Sequence, residues 1–175
     1  MTTMYVRQAL LSDATQIARL MTQLGYPTTP TQMHQRLDRL LDHGDYCTYV
    51  AEAQGVVLGV IGVCTSYFYE QDGLYGRIIA LIVDAQHRGR GIGALLVQQA
   101  GAWCAMRGAA LMLVNSGTHR VDAHRFYQRC DYRVTGIRLI KAILSTNTIA
   151  NYVGRTVSHA IWSPKGHRPS WMASP

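Results

Sequence analysis

Ile78 to Val83 is apolar without a break, and Asp84-Ala85-Gln86-His87 and then Arg88-Gly89-Arg90-Gly91-Ile92-Gly93 follow it directly. A strand that is apolar on both faces has to be covered above and below, so it belongs at the centre of a sheet carrying helices. Beyond the glycines a helix is predicted from Gly91 or Gly93 to about Arg107, turning Ile92, Leu95, Leu96, Trp103 and Met106 towards the core. The chain must therefore pass from a central strand through a tight glycine turn straight into a helix.

The flanking sequence supplies the other layers. Tyr5 to Ala9 reads as a short strand. Ser12 is the expected N-cap of a helix with Ile17, Leu20, Met21 and Leu24 on one face and Gly25 at its end. Thr31 is the expected cap of a second helix bearing Met33, Leu37, Leu40 and Leu41. Tyr46 to Ala53 and Val56 to Phe68 are rich in β-branched and aromatic residues, and the Gln54-Gly55 pair between them suits a hairpin. Gln71-Asp72-Gly73 turns the chain into the strand Leu74 to Val83. A short strand Ala110 to Val114, a helix Arg120 to Cys130 and a strand Tyr132 to Ile143 complete the pattern.

The reading is an α/β (α+β) domain over residues 1–143, with a mixed, mostly antiparallel central sheet flanked by helices in the order β-αα-βββ-α-β-α-β. Residues 144–175 lack periodicity and contain Pro164, Pro169 and Pro175. They are read as a basic appendage, for which a dimer interface, a cover over the pocket and a disordered tail are the alternatives.

A chain of 175 residues suits one domain, and 48% apolar against 15% charged residues excludes a disordered one. Met1 to Leu11 has no signal-peptide run, and no stretch approaches the roughly 18 apolar residues of a membrane helix, so a cytoplasmic protein without a membrane partner is expected. Cys47, Cys64, Cys104 and Cys130 lie far apart and are expected to be free, mostly buried thiols. His119 and His124 are five apart with no Cys or Glu nearby, which fits no usual metal site, and no metal is expected. The formal charge of +7 owes much to Lys141, Arg155, Lys165 and Arg168 in a segment without acidic residues, and the rest is too mildly and diffusely basic for nucleic acid.

The turn after Val83 is suited to phosphate. The first turn of a helix offers unpaired N–H groups and the positive end of the helix dipole, and glycine lets the backbone approach an anion closely. Arg88 and Arg90 add charge suited to bidentate hydrogen bonds. A Walker loop needs a Lys, and none lies between Met1 and Ile140. The dinucleotide fingerprint G-x-G-x-x-G fails at Ala94. Spacing alone leaves a plain strand-to-helix turn with two solvated arginines as the other reading.

The pattern strand-V-D-x-x-x-R-G-R-G-I-G-x-x-L-L resembles the acetyl-CoA motif of the GNAT superfamily of N-acetyltransferases. Val6-Arg7 to Asp13, Leu24-Gly25-Tyr26-Pro27 and Arg120-Val121-Asp122-Ala123-His124-Arg125-Phe126-Tyr127 are also similar to members of that family, in the expected order over residues 4–143. The resemblance implies acetyl-CoA as co-substrate. Arg88, Gly89, Arg90, Gly91, Ile92, Gly93 and Ala94 would face the pyrophosphate, and Asp122 and Phe126 would also belong to the cofactor site. The backbone of Ile82 and Val83 would pair with the pantetheine arm, in a V-shaped gap between the strands ending at Val83 and Val114. A backbone N–H of Val83 or its neighbour would face the developing oxyanion.

Tyr127 occupies the family's usual general-acid position. An unperturbed Tyr, with a pKa of about 10, holds a proton at neutral pH that it can give to a leaving thiolate; the alternative is a core tyrosine beside Phe126. Many relatives carry a Glu in the strand corresponding to Leu74 to Val83, which here has no carboxylate. Glu70, Asp72 and His119 lie nearby, and proton removal through a water chain is the simpler expectation. Arg120 stands where many members have Asn, and Asp131 where most have Gly.

The expected activity is acetyl transfer from acetyl-CoA to the primary amine of a small-molecule or amino-acid-like acceptor, in a pocket lined by Tyr26, Tyr67 and Tyr69. Polycationic acceptors are disfavoured by a chain with two Glu and eight Asp. The alternative is an acetyl-CoA-binding regulatory or interaction protein of the same fold without turnover.

Overall fold

The computed structural model describes residues 4–139. Five strands, β1 (Tyr5–Gln8), β2 (Tyr46–Ala53), β3 (Val56–Tyr67), β4 (Leu74–Val83) and β5 (Ala109–Val114), form one sheet in sequential order. The first three pairings are antiparallel and β4–β5 is parallel. A parallel pair needs a crossover. Here it is α3 (Ile92–Met106), entered through a 3-10 turn at Ala85–His87; α1 (Ala14–Leu24), α2 (Pro30–Leu41) and α4 (Val121–Arg129) complete the layers.

The two faces of the sheet have separate cores. Ile61, Val63 and Ile78 pack with Ile92, Leu96, Ala100 and Cys104 of α3. Val50, Val57, Val60 and Ile82 pack with Ile17, Leu20, Met33 and Leu37 of α1 and α2. The alternation of strand side chains divides the residues this way, and it explains why β3 is buried almost throughout. Cys47, Cys64 and Cys104 are buried and Cys130 half-buried, all four as free thiols.

Both helix caps fall on residues other than those expected. Ser12 lies inside a 3-10 turn, Leu11–Asp13, and α1 begins after it. Asp13 organises this entry: its carboxylate accepts Leu10 N–H at 2.8 Å and both Arg7 Nη groups at 2.7 and 2.8 Å. The cap of α2 is Thr29, not Thr31: its hydroxyl accepts Gln32 N–H at 3.2 Å, and Gln32 Oε1 accepts Thr29 N–H at 3.0 Å. Pro30 is then the first helical residue, where its fixed φ and missing N–H cost nothing. Gly25 ends α1 in the left-handed region at φ 101°, as expected, and Gln54-Gly55 makes the β2–β3 turn with φ 52° and 76°.

The strand expected over Tyr132 to Ile143 is absent from its described part: residues 132–139 are irregular, and Val134, Ile137 and Leu139 are exposed. Gly136 breaks the alternation there, leaving Val134 on one face and Ile137 and Leu139 on the other. Residues 140–143 of that strand, and the tail 144–175, lie outside the described residues.

Two irregularities in β4 shape the region beyond it. Gly62 pairs with Ala80 and Val63 with Ile78, so Ile79 is an extra, bulged residue. Pairing with β5 runs only from Leu74–Ala109 to Ile78–Val114. From Ile79 onward β4 has, among the described residues, a partner on its β3 side alone, and a gap opens between the ends of β4 and β5.

Candidate active site

At the end of β4 the glycine turn has the geometry that anion binding requires. Gly89 and Gly91 have φ of 77° and 79°, a region that a side chain disfavours, and nothing lies within 4 Å of where a Cβ would stand on either. Gly91 is the N-cap of α3, and the amides of Ile92, Gly93 and Ala94 precede any acceptor within the helix. Gly93 is glycine for a different reason. A Cβ there would stand 3.1 Å from the Phe126 ring, so Gly93 lets α4 close against the start of α3. Arg88 and Arg90 are exposed, and Arg88 Nε donates to the Val83 carbonyl at 3.2 Å.

Asp84 anchors this turn from beneath. It is 4% exposed, and its carboxylate accepts Gln86 N–H at 3.0 Å, Gln23 Nε2 at 3.1 Å and Arg19 Nη1, while His87 Nδ1 lies 3.1 Å away. Gln23 Oε1 also accepts Ala85 N–H at 3.0 Å. Arg19 and Gln23, four apart on α1, thus hold the first residues of the loop. Hydrogen bonding from His87 and then Arg19 keeps Asp84 well below the usual carboxylate range, so it is ionised at neutral pH. The sequence showed Asp84 in the motif but not its partners, because nothing local relates Arg19 to a residue 65 positions away.

Backbone polarity along the gap follows from register. Asp84 N–H donates to Leu58 C=O at 2.8 Å, so Leu58–Asp84 is a hydrogen-bonded pair, as by alternation are Val60–Ile82 and Gly62–Ala80. The N–H and C=O of Leu81 and Val83 therefore point the other way, into the gap. Of the two residues expected along the pantetheine arm, Val83 has its backbone on the gap side and Ile82 has its backbone turned to β3, and Leu81 lies on the gap side with Val83.

On the α3 side Phe126 and Tyr127 pack against the core, with Tyr127 edge-on to Phe126 and Tyr132 at centroid distances of 5.2 and 5.4 Å. Burial pushes the Tyr127 hydroxyl up to about 12. Asp122, one turn before Phe126, has a side chain 99% exposed, with Arg125 at 3.6 Å. Arg120 reaches back to α1, donating to Leu24 C=O at 3.0 Å, so its guanidinium is held there instead of supplying an Asn-like amide. Asp131, standing where most members have Gly, takes the left-handed conformation at φ 65°. Ser116, two residues beyond β5, has a buried hydroxyl with no partner among the described residues.

The three tyrosines expected around an acceptor lie on separate segments, after α1, at the end of β3 and in the β3–β4 turn. Tyr26 follows α1, 42% exposed. Tyr67 lies two residues beyond Thr65, whose hydroxyl meets Arg107 at the end of α3, so alternation directs it to the α3 face of the sheet. Tyr69 is fully exposed in the β3–β4 turn. Glu70, Asp72 and His119 are exposed as well. Among the described residues no helix is long and apolar enough to cross a membrane, and no three His, Cys, Asp or Glu side chains cluster to hold a metal.

The residues present fit the group that the sequence resemblance implies. The α3 amides and the two open glycines can take a pyrophosphate. The gap edge at Leu81 and Val83 can pair with an extended amide-bearing arm, and the orphaned Ser116 hydroxyl has hydrogen-bonding capacity to offer.

Comparison with known proteins agrees. An aminoalkylphosphonate N-acetyltransferase of Salmonella typhimurium is 32% identical over 94 residues, 54% of this chain and 61% of that protein, so the chain matches about three fifths of that relative's length. A GNAT family acetyltransferase of Staphylococcus aureus superposes with a TM-score of 0.70 at 25% identity, covering 82% of this chain and all of that one. An aminoglycoside N-acetyltransferase solved in complex with CoA shares the fold, with a TM-score of 0.72 at 18% identity over 81% of this chain and 95% of its own. The sequence model of the Acetyltransferase (GNAT) family matches residues 11–132, and the chain belongs to that family.

Proposed function

We propose that the protein transfers the acetyl group of acetyl-CoA to a primary amine of a small-molecule acceptor. One observation carries this reading: the open N-terminus of α3, with left-handed Gly89 and Gly91, stands at the end of β4 where β4 and β5 part. Acetyl-CoA supplies the activated acyl group; the chain's residues bind, orient and handle protons. The amides of residues 92–94, with Arg88 and Arg90, hold the pyrophosphate against the helix dipole. For Val83 to pair with the arm, Arg88 releases its carbonyl and turns to phosphate. The Leu81 N–H, aimed into the gap, donates to the carbonyl oxygen as charge builds on it.

Tyr127 is the general acid, protonating the departing sulfur. Its raised pKa keeps the proton in place, and desolvation in the same pocket raises a thiolate's proton affinity too, which offsets the mismatch. With no carboxylate in β4, the acceptor ammonium loses its proton to water. The relative's acceptor class, an aminoalkylphosphonate, is the first to try.

The test is release of CoA thiol, with mass-spectrometric detection of the acetylated product, across a panel of amines. Transfer to at least one small amine is expected. Tight acetyl-CoA binding with no transfer to any acceptor would instead favour a non-catalytic regulator of the same fold.

A further inference from the structure

Among the described residues, the sheet face that α1 and α2 cover over β2, β3 and the end of β4 at Ile82 is open over the first half of β4 and over β5. Tyr75 pairs with Leu111 and Arg77 with Leu113, and directly paired residues share a face. That face is opposite α3, because the intervening Gly76 would drive a Cβ to 2.4 Å from Cys104 Sγ of that helix. The bulge adds Ile79 to the same side, since its side chain lies 3.1 Å from where a Cβ on Gly62 would stand. Ile79, Leu111 and Leu113 are 38%, 43% and 41% exposed, unusual for aliphatic residues in the middle of a sheet.

In this apolar floor stands one charge, Arg77, exposed and one residue before the point where β4 and β5 part. Among the described residues it makes neither an ion pair nor a side-chain hydrogen bond, whereas the exposed Arg88 and the half-buried Arg120 each donate to a backbone carbonyl. Every Asp and Glu of the chain lies between Asp13 and Asp131, inside the described residues, so no further side-chain carboxylate remains to neutralise it. A guanidinium on an apolar surface, without an ion pair among the described residues and on the strand that leads to the gap, is complementary to an anionic group on a small ligand.

We propose that this face is the acceptor platform and that Arg77 binds an anionic group of the acceptor, so that short amines carrying a phosphonate, phosphate or carboxylate are preferred. The inference rests on the transfer reading above and specifies its substrate class. A strand rises about 3.3 Å per residue, so Leu81 lies about 13 Å from Arg77 along β4, and the long guanidinium arm closes much of that distance. With its anion on Arg77, an acceptor with a two- or three-carbon spacer presents its amine at the parting of the strands.

The experiment compares 2-aminoethylphosphonate, O-phosphoethanolamine and β-alanine with n-propylamine as acceptors for the wild type, R77Q and R77K. The wild type should favour at least one anionic amine by tenfold or more in kcat/KM, and the anionic arms identify the group. R77Q should collapse that preference at least tenfold, mainly through acceptor KM, and R77K should restore part of it. A wild type without preference, or a preference unchanged in R77Q, overturns the proposal; an unchanged preference with a lowered melting temperature would assign Arg77 to packing. Should no amine be acetylated, the transfer reading fails separately, and calorimetry of 2-aminoethylphosphonate binding to CoA-saturated protein still decides. Binding weakened tenfold in R77Q supports the anion site, while equal binding, or none to either protein, overturns it.

Discussion

Replacing Asp84 should loosen the cofactor loop and the fold together. Asp84→Ala removes the acceptor for Gln86 N–H, Gln23 Nε2 and Arg19 Nη1 at a site only 4% exposed. An orphaned buried donor costs about 1–3 kcal/mol. The Arg19 pair adds little, because that side chain is 45% exposed and recovers water; near-surface pairs contribute about 0–1 kcal/mol. The sum is about 1–4 kcal/mol, which at about 2–4 °C per kcal/mol for a chain of this size lowers Tm by about 2–16 °C. Asp84→Asn keeps an oxygen for Gln86 N–H and should lose about half as much. Because the 3-10 turn at Ala85–His87 starts from this anchor, acetyl-CoA affinity should fall about tenfold in Asp84→Ala, equivalent to about 1.4 kcal/mol. Thermal unfolding with and without acetyl-CoA, together with calorimetric titration, reads both effects. Unchanged Tm and Kd would refute the anchoring argument, and a lowered Tm with unchanged Kd would refute its link to the loop.

The motif glycines should respond differently to substitution. Gly91→Ala forces an L-residue to φ 79° at a cost of about 1–2 kcal/mol, and Gly91→Asn, which tolerates that region, should bind acetyl-CoA more tightly than Gly91→Ala in a titration. Gly93→Ala should instead lower Tm by pushing Phe126 and α4 away, and Phe126→Leu in the same chain should recover part of the loss. Tyr127→Phe should lower kcat about 100-fold or more while acetyl-CoA Kd changes little; an unchanged kcat removes Tyr127 from its role. Asp13, held low by Arg7, and Asp84, held low by His87 and Arg19, bind protons less readily folded than unfolded. Their contribution to stability is complete above about pH 4 and is lost as pH falls below that value through their folded pKa values, which urea midpoints at pH 7, 5 and 3.5 should trace.

Much of the architecture was legible because it is written locally. Alternation and helical periodicity located all five strands and four helices of residues 4–139 within a residue or two, and the Val83 to Gly93 turn announced itself through glycines that only a left-handed backbone or a close approach explains. The misplaced caps were off by one or two residues: α1 is capped at Asp13, which Arg7 holds, and not at Ser12, and α2 at Thr29 and not at Thr31, because Pro30 takes the first helical position. The strand expected at 132–143 rested on composition, and composition does not reveal whether a neighbouring edge receives it.

The candidate site divides along the same line. The sequence alone determined the family motif, the glycine turn proposed to hold phosphate and Tyr127 as a residue of interest, since these depend on residue type and short spacing. Tertiary structure decided which backbone groups face the gap, because that depends on the β3–β4 register and the bulge at Ile79. It also joined Arg19 and Gln23 to Asp84, and it turned Arg77, one cation in an otherwise apolar strand, onto the uncovered face. Those relations are set by packing between residues far apart in the chain, and no local pattern encodes them.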